Sequence, residues 1–291
     1  DLVHIFDAET CNFRLVEEAK KHNTKIIVSS IIAPNESQYL ALRDDLIEKS
    51  VKLLSHNSLT LTKEQTRWSL NGADAIIALG EVEKNTLQIQ YGINKNKIHI
   101  ISNGVSNDFF SPITALFTKK YNINKDFILC VGSIYPLKNQ LKLAEITKEL
   151  GKKLILVGDI RDQQYFEKIK RYTHVEYLGV IKDKNLLASA YASASLLSLI
   201  SEHEIMPLVV LEAIASNTPI LMTDNHSMSI DLNLDHIKEV DISNDLKIKE
   251  QLQYLLDNYT NRSNITRKPT VMSWTDIAKK HLILYRKILN Q

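Results

Sequence analysis

Short runs of Val, Ile, Leu and Phe recur along this chain, each followed by an amphipathic segment of helical length. That rhythm confines the fold more tightly than any single motif. Apolar runs at 2–6, 25–32, 74–79 and 97–101 alternate with helical patterns at 12–22, 36–54, 62–71 and 81–91. In the first helical pattern Phe13, Val16 and Ala19 recur at helical spacing, with charges opposite. Gly92 stands where a helix over 81–91 needs a left-handed stop. A second alternation has strands at 127–131, 154–157, 175–178, 196–200 and 220–223, and helices at 140–150, 163–172, 185–192 and 208–216. Helices over 245–259 and 275–289 finish the chain. Parallel strands need such crossovers, and strands covered on both faces read as continuous apolar runs. The expectation is an α/β chain of two doubly wound parallel-sheet domains, with a ligand cleft at the strand carboxyl ends.

Residues 106–125, with Pro112 and weak periodicity, read as the connection between the domains. The expected division is 1–112, then 113–274, with a helix over 275–291 packing back toward the first domain. The first strand opens at the second residue, without a preceding Met, so earlier strands of that domain are expected to precede Asp1.

Composition narrows the function. Lys and Arg number 36 against 34 Asp and Glu, a net charge of +2. Residues 1–112 carry 12 basic and 14 acidic side chains, so neither half is a basic block suited to nucleic acid. Cys11 and Cys130 lie far apart, in no ligand spacing, which fits a reducing cytoplasm. The nine histidines show no metal-ligand pattern, and metal is expected to be absent. No stretch reads as a signal peptide or a membrane span; the longest uncharged one, 186–200, is short and rich in Ser.

The chemistry gathers at residues 201–219. Glu202 and Glu204 follow the apolar run 196–200, an apolar turn leads into a helix carrying Glu212, and Asn217-Thr218-Pro219 ends it. Carboxylates accept hydrogen bonds from sugar and ribose hydroxyls, and the N–H groups of a helix start can meet phosphate. Acids near a helix start also cap it and complement its dipole, and on spacing alone that is the simpler account. Lys138 follows Gly132-Ser133-Ile-Tyr-Pro-Leu, after the strand 127–131. A strand, a glycine turn and a lysine at a helix entry can read phosphate, although the P-loop glycines and Lys-Ser/Thr pair are absent. His4, within an apolar run, reads as a satisfied core histidine, and His203 as an exposed loop histidine.

Together these segments resemble the GT-B-fold, retaining nucleotide-sugar glycosyltransferases of family 4. The family's donor motif, two glutamates separated by seven residues, is similar to Glu204-Ile-Met-Pro-Leu-Val-Val-Leu-Glu212-Ala-Ile-Ala-Ser-Asn-Thr-Pro219, without a gap. Val131-Gly-Ser-Ile-Tyr-Pro-Leu-Lys138-Asn139 resembles its diphosphate segment, residues 154–158 its Leu-x-x-Val-Gly strand, and Gly179 to Ile181 its base-contacting turn. Residues 73–78 and 101–105 resemble late strands of its first domain.

The resemblance implies a metal-independent transferase (EC 2.4) that moves a sugar from a UDP- or GDP-type donor to a glycan or lipid-linked acceptor, in cell-surface polysaccharide or lipopolysaccharide synthesis. It implies no cofactor, no nucleic-acid partner and a cytoplasmic place, with peripheral contact at the inner membrane face. Glu204 would hold donor sugar hydroxyls, Ile205, Met206, Pro207 and Leu208 would meet sugar and phosphate through their backbone, and Glu212 would hold the ribose. Lys138 would offset the diphosphate, beside Gly132 and Ser133, with Gly179 and Ile181 at the base and Asn103 and Gly104 on the acceptor side. Three positions depart from the family pattern: Ile205 replaces a glycine, Ser133 an arginine, and Ile31-Ile32 a histidine. A non-catalytic GT-B partner module and a sugar-nucleotide epimerase remain as alternatives.

Overall fold

The computed structural model describes residues 1–8, 12–32, 62–124 and 126–290. The helix expected over 36–54 lies outside them. The chain divides into two compact units: Asp1–Asn103 with Ser227–Ser229 and Thr275–Gln291, and Gly104–His226 with Ile230–Trp274.

In the first unit four parallel strands lie in chain order: β1 (Leu2–Phe6), β2 (Lys25–Ser29), β3 (Ala75–Ala78) and β4 (Ile98–Ile100). Ile5 pairs with Val28, Ile27 with Ala75 and Ile77 with His99. Every residue of β3 is buried, as the apolar run requires of an inner parallel strand. Helices α1 (Phe13–Lys21), α2 (Thr62–Gly72) and α3 (Glu81–Tyr91) supply Val16, Leu70 and Leu87 to a core with Ile26, Val28 and Ile76. The α3 helix stops at Gly92, at φ 69°, a conformation glycine enters without a Cβ clash.

The β2 strand ends at Ser29, short of the expected residue 32. The buried carboxylate of Glu83 gathers the donors that follow. Ser30 Oγ and the Ile32 N–H donate to its Oε1 at 2.6 and 2.7 Å, and the Leu79 N–H donates to Oε2 at 2.6 Å. The Ser30 N–H still donates to the Ile77 carbonyl at 3.0 Å, and the chain turns at Ile31, φ 50°, before Ile32 makes its bond. His4 is a satisfied core histidine: Nδ1 meets the Tyr285 hydroxyl at 2.6 Å and Nε2 the Ser29 hydroxyl at 2.9 Å. Burial, then the nearby His281, lowers its pKa to about 4.

The second unit holds six parallel strands: β5 (Phe127–Val131), β6 (Lys153–Val157), β7 (Val175–Tyr177), β8 (Leu196–Leu199), β9 (Ile220–Thr223) and β10 (Ile237–Val240). Their order across the sheet is β10-β9-β8-β5-β6-β7. The chain therefore runs outward from β5 to β7, returns, and runs outward again the other way from β8. Adjacent β5 and β8 mark the reversal, where an open α/β sheet places a crevice at its carboxyl edge. Helices α4 (Ala115–Tyr121), α5 (Gln140–Glu149), α6 (Gln163–Ile169), α7 (Lys184–Ser193), α8 (Leu208–Ala215) and α9 (Asp245–Tyr259) accompany the sheet, and α10 (Trp274–Leu289) closes the chain.

Two elements of this unit differ from expectation. Within the presumed connection α4 forms, because Phe117 is fully buried, its ring 5.6 Å from that of Phe127, and its N–H donates to Ser189 Oγ at 2.9 Å. Strand β10 was not expected; only Ile237 and Val240 of its four residues are buried, too short an alternation to stand out. Among the described residues no helix is long and apolar enough to cross a membrane.

Candidate functional site

The two loops at the reversal carry the predicted residues. After β5 the chain passes Gly132 into a 3-10 turn, Pro136–Lys138, and then α5. After β8 it passes residues 200–207 into α8, whose N-cap is Pro207. Asn139 fastens one loop to the other. Its backbone takes φ 54°, the left-handed region asparagine tolerates. Its Nδ2 donates to the Ile200 carbonyl at 3.0 Å and to Glu202 Oε1 at 2.8 Å. The Glu202 N–H returns a bond to the Leu137 carbonyl at 2.8 Å.

Held this way, Lys138 Nζ and Glu204 Oε1 form a close ion pair, with side chains 20% and 11% exposed. A third loop supports the glutamate: the Glu204 N–H donates to the Asn225 carbonyl at 3.0 Å, and Asn225 Nδ2 to the Glu202 carbonyl at 2.8 Å. His203 is half-buried rather than exposed, its Nδ1 3.0 Å from Asn225 Oδ1. Beneath the pair the Cys130 thiol is pushed up to about 12 by burial, which makes it an inert packing group.

Glu212 lies a full turn inside α8, where its Oε2 accepts from the Tyr191 hydroxyl at 2.8 Å. Burial raises its pKa to about 6, against the opposing pull of that hydroxyl and of Lys184. No side chain caps α8, and its first turn holds no acid. Glu204 and Glu212 are thus engaged elsewhere than at the helix start, and capping does not account for them. Met206 and Pro207 are buried, Leu208 is exposed, and Ile205 is half-buried at negative φ. The family's glycine is therefore not needed at position 205 for backbone conformation.

Three glycines line adjacent strand ends of β5, β6 and β7. The Gly132 N–H donates to the Val157 carbonyl at 2.9 Å, and the Gly158 N–H to the Gly179 carbonyl at 3.0 Å. A Cβ on Gly158 would lie 2.0 Å from the Gly132 carbonyl oxygen, so the close approach of these loops requires glycine there. Ser133 Oγ donates to Asp159 Oδ1 at 2.6 Å, and Arg161 Nε to Oδ2 at 3.4 Å. Where the family pattern has an arginine, this chain has a hydroxyl tied to a carboxylate, with Arg161 on the neighbouring loop. Ile181 is buried and Val180 exposed beside Gly179.

One sheet edge thus gathers Gly132, Ser133, Lys138, Gly179, Glu204 and the start of α8, the helix that carries Glu212 one turn further in. Of the two residues expected on the acceptor side, Asn103 falls in the first unit and Gly104 in the second. Four contributors escaped sequence reasoning, namely Tyr191, Asp159, Asn225 and the side chain of Asn139. Among the described residues no three metal-ligating side chains come together. A cavity of about 590 Å³ between α5 and α6, lined by Glu145, Lys148, Arg171 and His174 among others, holds none of the predicted residues.

A six-stranded parallel sheet, with acids, a lysine and glycine turns at its reversal, belongs to a GT-B-type α/β frame. Two family models match in tandem: Glycosyltransferase Family 4 over residues 8–109 and Glycosyl transferases group 1 over residues 125–257. The chain belongs to this family of glycosyltransferases. One relative is the amylovoran biosynthesis glycosyltransferase AmsD of Erwinia amylovora, 24% identical over 199 residues, covering 67% of this chain and 56% of that one. The chain spans about half the length, or less, of the curated relatives it matches. Among solved structures, sucrose-phosphate synthase of Thermosynechococcus elongatus superposes with a TM-score of 0.74 at 17% identity, over 99% of this chain and 74% of that one. HepE of Anabaena, solved with UDP and glucose, gives 0.58 at 14% identity, over 99% and 100% of the two chains. At these identities the structures establish the shared fold.

Proposed function

We propose that the protein transfers a sugar, with retention, from a nucleotide diphosphate sugar to a glycan or lipid-linked acceptor in cell-surface polysaccharide synthesis. The observation that carries this reading is the Lys138–Glu204 pair at the β5–β8 reversal, with Glu204 on the loop that leads into the helix carrying the half-buried Glu212. The bond from the anomeric carbon to the diphosphate breaks while an acceptor hydroxyl oxygen bonds to the same carbon, its proton passing to the departing phosphate oxygen. Charge building on the departing diphosphate is offset by the Lys138 ammonium, in a setting too dry to screen it. Glu204, released as the lysine turns to phosphate, accepts from the sugar hydroxyls, and Glu212 accepts from the ribose. The name of the AmsD relative supports a polysaccharide product, and the UDP and glucose of HepE make UDP-glucose the first donor to try.

Calorimetric titration with UDP- and GDP-sugars, on the wild type and Lys138→Ala, tests the proposal. Micromolar binding by the wild type, weakened at least tenfold in the variant, supports it. No binding of either nucleotide by the wild type overturns the donor site. The carboxylate of Asp159 beside Ser133 favours a second reading, in which the module binds a nucleotide sugar without transferring it. Donor binding without release of free nucleotide in the presence of acceptor glycans would distinguish that case.

A further inference from the structure

We propose that Tyr191 is the positioning residue that aims Glu212 at its ligand. The phenol is fully buried where α7 meets α8, and its hydroxyl donates to Glu212 Oε2 at 2.8 Å. Its ring meets Phe109 edge-on, with centroids 5.6 Å apart. Its carbonyl is held twice, by Thr218 Oγ1 at 2.9 Å and by Arg262 Nη2 at 2.6 Å. Gripped at ring and backbone, the hydroxyl is a fixed point.

A glutamate side chain otherwise turns freely about its last torsion. Committing Oε2 to a fixed donor sets that torsion and leaves Oε1 as the oxygen that accepts from a ligand hydroxyl. The groups that act on Glu212 are Tyr191 and Lys184, both on α7, while Cys130 on β5 acts on Tyr191. Burial favours the neutral carboxyl, and the Tyr191 hydroxyl favours the ionised acceptor. The phenol thus keeps Glu212 both oriented and charged near neutral pH. This assignment rests on the reading of Glu212 as a ligand acceptor.

The test uses Tyr191→Phe, which keeps the ring and its packing. Without any ligand, the Glu212 carboxyl carbon is titrated by NMR. The wild type titrates near pH 6 and the variant at higher pH; an unchanged midpoint overturns the proposal. Should the variant fold poorly, 3-fluorotyrosine placed at position 191, a stronger donor of the same shape, moves the midpoint down, and no movement overturns the proposal. In a second arm, UDP affinity at pH 7 falls about tenfold in Tyr191→Phe, the scale of one charge-assisted hydrogen bond. That loss disappears in a Glu212→Ala background, where the phenol has no carboxylate to position, whereas an equal loss in both backgrounds overturns the positioning role. Absence of UDP binding by the wild type would sink the donor-site reading alone, since the titration judges Tyr191 without nucleotide.

Discussion

Lys138 and Glu204, 66 residues apart in the chain, close on one another as an ion pair at the carboxyl edge of two adjacent strands. Each largely covers the other from water. Removing one partner therefore strands a charge that the fold has mostly desolvated. Lys138→Met and Glu204→Leu should each lower stability by about 1–3 kcal/mol in urea denaturation, below the full cost of a deeply buried pair because both side chains keep some exposure. The double variant should lose clearly less than the sum, since neither charge is left alone. Strictly additive losses would show that the two do not interact in solution.

Glu212 makes stability depend on pH in the direction opposite to an ordinary paired carboxylate. Its pKa rises from 4.5 to about 6 on folding, so the folded state holds a proton that the unfolded chain releases. The contribution is present below about pH 4.5 and is lost as pH rises through about 6. Glu212→Gln keeps the Tyr191 bond and removes the ionisation. It should stabilise the protein by about 1–2 kcal/mol at pH 7, with the gain fading toward pH 4.5. A gain independent of pH would place its origin elsewhere. Nucleotide binding through an ionised Glu212 should weaken as pH falls below about 6.

Most of the frame was legible because its signals are local. Apolar runs such as 127–131 and 75–78 had to be inner parallel strands, and Gly92 had to end a helix. What escaped was set by tertiary contact. The α4 helix exists because Phe117 finds Phe127 and Ser189, neither of which its own periodicity reveals. Beyond β2 the chain turns at Ile31, and Glu83, some fifty residues on, takes the Ser30 hydroxyl and the Ile32 N–H. At the site, Glu204, Glu212 and Lys138 could be named from residue type and spacing. Their partners could not, since Asn139 to Glu202 and Tyr191 to Glu212 join elements whose adjacency depends on strand order. Spacing alone favoured capping for the two glutamates; the ungapped resemblance to the donor motif argued against it, and the geometry of α8 removes it.

Gly158→Ala should be among the most damaging single changes in the second unit. The residue takes φ 153°, and its added Cβ would meet the Gly132 carbonyl oxygen at 2.0 Å, a backbone atom that cannot swing aside. The β5 and β6 loops would have to part, carrying Ser133 away from Asp159. A loss of about 2–4 kcal/mol is expected by chemical denaturation, with nucleotide affinity falling in whatever folded fraction remains. Gly151→Ala is the matched control: it is also at positive φ, 63°, but a Cβ there meets nothing within 4 Å. It should cost only about 1 kcal/mol, from backbone strain.

Arg262 carries the last prediction. Its guanidinium is buried and donates to three carbonyls: Tyr191 at 2.6 Å, Ala194 at 2.9 Å and Ser216 at 3.0 Å. These are carbonyls at the carboxyl ends of α7 and α8, which a helix leaves without internal partners and where its dipole favours a cation. Burial lowers the Arg262 pKa to about 10, so it stays charged at neutral pH. Arg262→Ala takes the guanidinium from the Ala194 and Ser216 carbonyls and leaves the Tyr191 carbonyl only Thr218, and should cost about 2–4 kcal/mol. Arg262→Lys should recover only part of that, because a single ammonium cannot span carbonyls of two helices as the planar fork does. Since the Tyr191 carbonyl is one of the three, the lysine variant should also loosen the phenol and raise the Glu212 titration midpoint, though less than Tyr191→Phe does. Full rescue of both stability and midpoint by lysine would reduce Arg262 to a point charge.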